Sequence, residues 1–363
     1  MEALVNTAWV GRRVLVTGHT GFKGGWLALW LHALGAEVSA LALPPPTTPS
    51  LFEAAGIGEL VANHIADVGD YAAVQRAIAA TRPEFIFHLA AQPLVRQSYA
   101  APVETYASNV MGTVHVLEAA RQVGGVAGIV CVTSDKCYEN REWDWPYREA
   151  DPMGGHDPYS SSKGCAELVV SAWRRSYFAE SGPALASVRA GNVIGGGDWA
   201  EDRLIADLVR AFEAGRAPLI RHPRAVRPWQ HVLEALGGYL TIGERLLAGD
   251  RRCADAWNFG PLDADIRPVD WIVAQMRGAW GAEAPAATAD PRPTPHEAGL
   301  LRLDCSRARA VLGWQPVLGL GTAIAWIVDW HKAVAAGEDA RDITLRQIRH
   351  YEALANRMAA VPA

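Results

Sequence analysis

Tyr159 and Lys163 stand four positions apart in "DPYSSSKGCAELVVSAW", at the start of a helical pattern. Residues i and i+4 share one helix face. The ammonium therefore sits beside the phenol, favours phenolate and makes Tyr159 a candidate base for a hydroxyl proton. A second reactive set lies upstream in "VTSDKCY", where Thr133, Ser134, Asp135 and Lys136 place hydroxyls, a carboxylate and an amine side by side. Together these groups can donate, accept and move protons. Only four of the 34 Lys plus Arg residues are lysines: Lys23, Lys136, Lys163 and Lys332. Arginine stays charged and shuttles protons poorly, so lysine at 136 and 163 in an arginine-dominated chain fits proton chemistry better than salt bridging.

A third motif, "TGHTGFKGGW" from Thr17 to Trp26, spaces Gly18, Gly21 and Gly24 as GxxGxxG after the strand-like "RRVLVT" and before a helix beginning near Phe22. Glycine frees the turn, lets a pyrophosphate approach backbone N–H groups and allows the helix to pack on the strand. The loop also carries Thr20, and it places His19 and Lys23 where small apolar residues are usual. Their polarity is expected to loosen cofactor binding. The acidic residue that would hold a ribose diol is missing from "ALALPPP", and no arginine replaces it. NAD is favoured over NADP. Asp67 and Val68 in "HIADVGD" end a third strand, where an Asp either accepts from an adenine amino group or simply closes a turn.

These groups need a scaffold that brings strand ends together. The runs "RRVLVTG", "EVSALAL", "ANHIADV", "EFIFHLAA", "GIVCVTS" and "ALASVRAGNV" alternate with helical segments such as Phe22 to Leu34 and Tyr71 to Thr81. That alternation predicts an α/β fold, a Rossmann-like doubly wound parallel sheet over residues 1–190. Beyond it the pattern changes to helices near Arg203 to Ala214, Leu233 to Leu247, Val269 to Trp280 and Thr322 to Ala335. A smaller α/β substrate lobe over residues 191–363 is expected, with some chain crossing between the two. Residues 44–50 and 283–299 read as loops.

The length of 363 residues, 50% hydrophobic content and net charge of −5 fit a folded chain of about two domains, with no basic field for nucleic acid. No signal-like N-terminus or membrane-spanning run is read, which points to the cytoplasm. Five cysteines without a CxxC pair are expected to be reduced, and no metal-ligand spacing occurs among the histidines.

In this order and at these separations, GxxGxxG, "FHLAAQ", "SDKCY", YxxxK and "RAGNVIGGGDW" resemble the extended short-chain dehydrogenase/reductase family of nucleotide-sugar enzymes. The longer segments "TSDKCYENREW", "RAGNVIGGGDWAEDRLI", "RPWQHV" and "LDCSRA" are similar to its 4,6-dehydratase branch. The resemblance implies a triad of Ser134, Tyr159 and Lys163, with Asp135 and Lys136 removing water. It implies NAD contacts at Leu89, Ala90, Ala91, Gln92 and Thr133, beside those of the glycine loop. The implied substrate is CDP-glucose or a similar nucleotide sugar, held by Gln92, Arg96, Asn109, Ser134, Asn192, Asp198, Trp199, Arg203, Arg227, His231 and Glu297. Related dehydratases commonly carry Glu in place of Lys136. Either a neutral Lys136 takes the C5 proton, or its cation stabilises an enolate while another group takes it.

The resemblance also implies a homodimer, through helices such as Val103 to Gln122 and Ser162 to Tyr177. A 4-epimerase or reductase would leave Asp135 and Lys136 without duties. A non-catalytic NAD sensor would have no use for Ser134, Tyr159 and Lys163.

Overall fold

The computed structural model describes residues 7–290 and 298–359. Seven strands form the central sheet: β1 (Arg13–Thr17), β2 (Glu37–Ala42), β3 (Ala62–Ile65), β4 (Phe85–His88), β5 (Gly128–Val132), β6 (Ala184–Ala190) and β7 (Ala256–Phe259). All pair in parallel, in the order β7-β6-β5-β4-β1-β2-β3. The order reverses between β1 and β4, where Thr17 lies opposite His88. In such sheets ligands bind at the carboxyl ends of the strands at this switch point.

The main helices are α1 (Phe22–Ala33), α2 (Tyr71–Thr81), α3 (Gly112–Val123), α4 (Pro158–Ser176), α5 (Leu204–Glu213), α6 (Val232–Leu247), α7 (Val269–Trp280), α8 (Leu320–Ala335) and α9 (Ala340–Ala359). Strand side chains alternate between faces, and both faces are covered. Leu15, Ile86, Ile129 and Leu185 pack with Val74 and Ile78 of α2, Val116 and Leu117 of α3 and Val170 of α4. Val14, Val16, Phe87 and Val130 face the other way, onto Leu27 and Leu31 of α1, Leu233 and Leu236 of α6 and Ile348 of α9. Each large aliphatic side chain so buried contributes roughly 2 kcal/mol. A third cluster joins α5, α7 and α8 through Leu208, Phe212, Ile272, Met276, Ile324 and Ile327, around Trp229.

Three features depart from the sequence reading. The expected helix from Val103 to Gln122 divides into Pro102–Tyr106, a wider π-turn over Ala107–Met111, and α3. The twenty-residue helix α9 was not anticipated. Strand β7, which was not read as a strand, belongs to the central sheet although it lies well beyond residue 190, and α6 and α9 pack on that sheet as well.

Candidate active site

The glycine loop follows β1. Gly18 has φ +83°, and a Cβ there would lie 2.7 Å from the Ala90 backbone nitrogen. A Cβ on Gly24 would strike the Gly18 carbonyl oxygen at 2.1 Å. At Gly21 such a Cβ would make only an ordinary contact, 3.4 Å from the Gly18 carbonyl oxygen, so the middle glycine is the least crowded of the three. Gly21 is also the N-cap of α1, and no side chain caps that end. An uncapped helix start above a glycine turn suits a diphosphate.

A buried relay ties the two strand tips at the switch point. The Thr17 hydroxyl accepts the Leu89 and Ala90 N–H groups, both at 3.1 Å, and lies 2.7 Å from His88 Nδ1. With its acceptor side occupied, the hydroxyl donates to Nδ1. The His88 proton then sits on Nε2, facing the Thr113 hydroxyl at 3.3 Å. Burial, aided by the Lys163 charge, pulls the His88 pKa down to about 3 and keeps the ring neutral.

The reactive groups converge above β5. Asp157 caps α4, accepting the Ser160 N–H at 2.9 Å and the Ser160 hydroxyl at 2.6 Å, and Pro158 opens the first turn. This start point sets Tyr159 and Lys163 one turn apart, both buried. Lys163 Nζ donates to the Val132 carbonyl at 3.3 Å. Burial brings its pKa down to about 8 and pushes that of Tyr159 up to about 12, a hydrogen bond with Ser134 opposing the latter. Ser134 caps the Asp135–Cys137 turn: its hydroxyl accepts the Lys136 N–H at 3.2 Å and donates to Asp135 Oδ1 at 3.0 Å.

Asp135 is buried, and burial raises its pKa against the pull of Lys136, Ser134, Arg227 and Lys23. Its Oδ2 has no hydrogen-bond partner among the described residues. Gly191 lies beside Oδ2: a Cβ there would strike the Pro228 ring at 2.4 Å and come within 3.2 Å of that oxygen. A buried carboxyl with one oxygen held and the other free is poised as a proton donor.

Lys23 points here rather than at the phosphate loop. Its Nζ lies over the Tyr239 ring, 5.8 Å from the centroid. Burial, then the charges of Arg203 and Lys163, take its pKa down to about 7, while Asp135 pulls the other way. His19 turns outward along the sheet, with Nε2 2.8 Å from Asn63 Oδ1 and its ring edge against Phe52.

Other residues expected at the site sit elsewhere or are already engaged. Asn109 is buried, with its amide engaged by the Gln92 backbone and by Ser162, which orders the segment after β4 against α4. His231 is a core residue between Trp26 and Trp326, its pKa lowered to about 3 by burial, and its Nδ1 accepts the Leu233 N–H. Trp199 packs on Trp330 and His331. The Gln92 side chain folds back onto Thr105 and the Leu94 N–H, and the Thr133 hydroxyl is engaged by Glu167 and Val188. The Thr20 hydroxyl donates to the Leu43 carbonyl, and Val68 is core. Asp67 accepts the Gly69 N–H in an exposed turn after β3. Asp198 accepts the Ala200 N–H, and Phe22 packs near Gly195.

Arg96 is paired with Asp202 at 2.9 Å. Arg203 and Arg227 lie close enough to act electrostatically on Tyr159 and Asp135 respectively. Asn192, half-buried, follows β6, and its carbonyl accepts the Gln230 N–H. Glu297 lies outside the described residues. Sequence reasoning missed Tyr239, whose buried hydroxyl lies beneath Lys23 with no hydrogen-bond partner among the described residues, and gave no role to Gly191 within "RAGNVIGGGDW". Only the fold brings them to Asp135.

A glycine-cradled crevice at the switch point, with a Ser–Tyr–Lys group beside it, defines a dinucleotide-dependent α/β enzyme that acts on a hydroxyl-bearing carbon. The chain belongs to the GDP-mannose 4,6 dehydratase family, whose model matches residues 15–325. It is 53% identical over 354 residues to the CDP-glucose 4,6-dehydratase of Salmonella typhimurium, covering 96% of this chain and 98% of that one. It is 30% identical to the UDP-glucose 4-epimerase of Mycolicibacterium smegmatis, covering 88% of this chain and 98% of that one. A dTDP-glucose 4,6-dehydratase double mutant from Streptomyces venezuelae, solved with NAD bound, superposes with a TM-score of 0.73 at 22% identity, covering 88% of this chain and 97% of that chain. The last comparison concerns the fold.

Proposed function

We propose that this enzyme converts CDP-glucose to CDP-4-dehydro-6-deoxyglucose and water with bound NAD. The observation that carries the reading is the buried Asp135, with its free Oδ2, next to Ser134, Tyr159 and Lys163. An epimerase needs the last three but has no task for an acid beside Lys136. The 53% identity to the Salmonella dehydratase supports the same substrate.

The glycine turn and the uncapped start of α1 fit the NAD diphosphate, and no arginine stands directly after β2 to meet a 2′-phosphate. When bound, NAD supplies a hydride acceptor at C4, a hydride donor at C6 and a positive charge that helps phenolate form. Tyr159 takes the O4 proton, assisted by Ser134 and Lys163. The resulting 4-ketone acidifies the C5 hydrogen. Lys136 serves the C5 proton or the enolate, and Asp135 protonates the departing C6 hydroxyl. The nucleotide lies toward the lobe of residues 191–363, with Arg203 and Arg227 as its cationic contacts.

The same reading includes a homodimer and a cytoplasmic location. Val103 and Leu168 are 79% and 60% exposed, near Tyr99, Tyr106 and Met111, on packed helices that resemble those pairing in the family. Five free thiols suit a reducing compartment.

Incubation with CDP-glucose and NAD is expected to give a 4-keto-6-deoxy sugar without net NADH. A galacto-configured product, or turnover of another nucleotide sugar alone, would overturn the reading.

A further inference from the structure

Glu167 lies four residues after Lys163 on α4, and its carboxylate is buried, as is the guanidinium of Arg189 on β6. The two pair at 2.8 Å with side-chain exposures of 4% each. A buried ion pair is seldom more stabilising than well-packed apolar residues of the same volume, so stability alone gives little reason for one behind a catalytic helix. What the pair holds supplies a reason. Glu167 Oε1 accepts the Thr133 hydroxyl at 2.5 Å, and Oε2 accepts the Ser187 hydroxyl at 2.8 Å. Arg189 Nη1 donates to the Tyr138 hydroxyl at 2.7 Å and to the Glu149 carbonyl at 3.0 Å. Tyr138 in turn donates to Asn258 Oδ1 of β7 at 2.7 Å.

Thr133 and Tyr138 flank the segment that carries Ser134, Asp135 and Lys136. One end of that segment is gripped by the anion of the pair and the other by its cation. We propose that the Glu167–Arg189 pair is a positioning device for water elimination, a two-ended clamp that fixes the Ser134–Lys136 turn against the substrate. The proposal rests on the dehydratase reading and assigns no contact between the clamp and substrate. Tyr159 and Lys163 stand on α4, whose start the Asp157 cap fixes, and they meet the clamped segment through Ser134 and the Val132 carbonyl. Asp135 and Lys136 act only in the elimination, whereas at C4 the segment supplies only the assisting Ser134, so loosening the clamp slows the elimination more than the oxidation at C4.

Removing either charge leaves its partner buried and alone, which endangers folding. The test accordingly uses Thr133→Val and Tyr138→Phe, each releasing one grip with the ion pair intact, and Thr133→Ser, which keeps the hydroxyl. With the full chain, CDP-glucose and NAD, both releasing variants are expected to lose turnover roughly ten- to hundredfold, the scale of a small misplacement of reacting groups. KM and Tm stay near wild type, and Thr133→Ser restores the rate. Reduced nicotinamide then accumulates in the steady state, and deuterium at substrate C4 slows turnover less than in wild type. Unchanged turnover in both releasing variants, or equal slowing of both half-reactions together with a lower Tm, would overturn the clamp. Wild type that makes no 4-keto-6-deoxy product would overturn the dehydratase reading and the clamp with it, whereas active wild type with unaffected variants overturns the clamp alone.

Discussion

Lys23 belongs by sequence to a phosphate loop and by structure to the catalytic cleft. With a pKa of about 7 it is charged below neutrality and largely neutral above it. A charged Lys23, beside Lys163 and Arg203, repels the cationic nicotinamide ring. NAD affinity of the wild type should therefore rise as pH climbs through 7, and Lys23→Ile should bind NAD several-fold tighter at pH 6, with no such slope; calorimetric titration at three pH values checks this. Asp135 offers a second sign. Its raised pKa keeps the carboxyl protonated further toward neutrality, so turnover should fall on the alkaline side as that proton is lost. Asp135→Asn should cost about 10²–10⁴ in kcat and remove that limb, as pH–rate profiles would reveal. Lys136→Met should abolish C5 proton exchange with solvent while C4 hydride transfer persists; equal loss of both steps would make Lys136 a positioning group only. Tyr159, Lys163 and the Ser134–Lys136 run were legible because their spacing is local. The surroundings of His231, Asn109 and Trp199 were not legible, since residue type does not say that the fold buries the first two and sets the third against Trp330. Glu167 was missed because its partners are far apart in sequence, Thr133 just after β5 and Arg189 on β6.

Most elements were legible from period and breakers: α2 and α7 span Tyr71–Thr81 and Val269–Trp280, as the pattern predicts. Helix α9 was not, because its buried Ile343, Ile348 and Tyr351 are diluted by charged residues and its docking depends on α1 and α6. There Trp30 Nε1 donates to Glu352 Oε1 at 2.8 Å. The glycines at 195–197 resembled a ligand motif, yet a Cβ on Gly196 would meet the Trp330 ring at 2.1 Å, so clearance for that ring of α8 explains the glycine. A titration couples the elements as well. Glu234 of α6 accepts the Val317 and Leu318 N–H groups before α8 and the Tyr351 hydroxyl of α9, and burial raises its pKa from 4.5 to about 7. The native state holds that proton where the unfolded chain has lost it. Its contribution to stability is full below pH 4.5 and declines as pH rises through 7. Glu234→Gln removes this slope, so the Tm of the variant relative to wild type should be higher at pH 8 than at pH 5, by several degrees in calorimetry; a constant difference would contradict it.

At the scale of the whole molecule, the apolar side chains left on α4 and on Pro102–Tyr106 set the next expectation. Leu168→Arg, 60% exposed in the single chain, should convert a dimer into a folded monomer by light scattering, with Tm lowered; an unchanged mass would remove that face from the interface. The parallel sheet was legible in outline, but its closing strand was not, because Ala256–Phe259 is a short run that pairs with β6 across some seventy intervening residues. That late strand bears on biosynthesis. A chain growing from its N-terminus makes β6 long before β7 exists, so an emerging polypeptide carries an open strand edge, and α1 waits for α9 at the far end to cover Trp30. The nucleotide-binding half cannot finish folding as an early, independent unit while synthesis continues. Ribosomal pausing within this interval prolongs the exposure of a hydrophobic edge, making the nascent chain a client for holding chaperones.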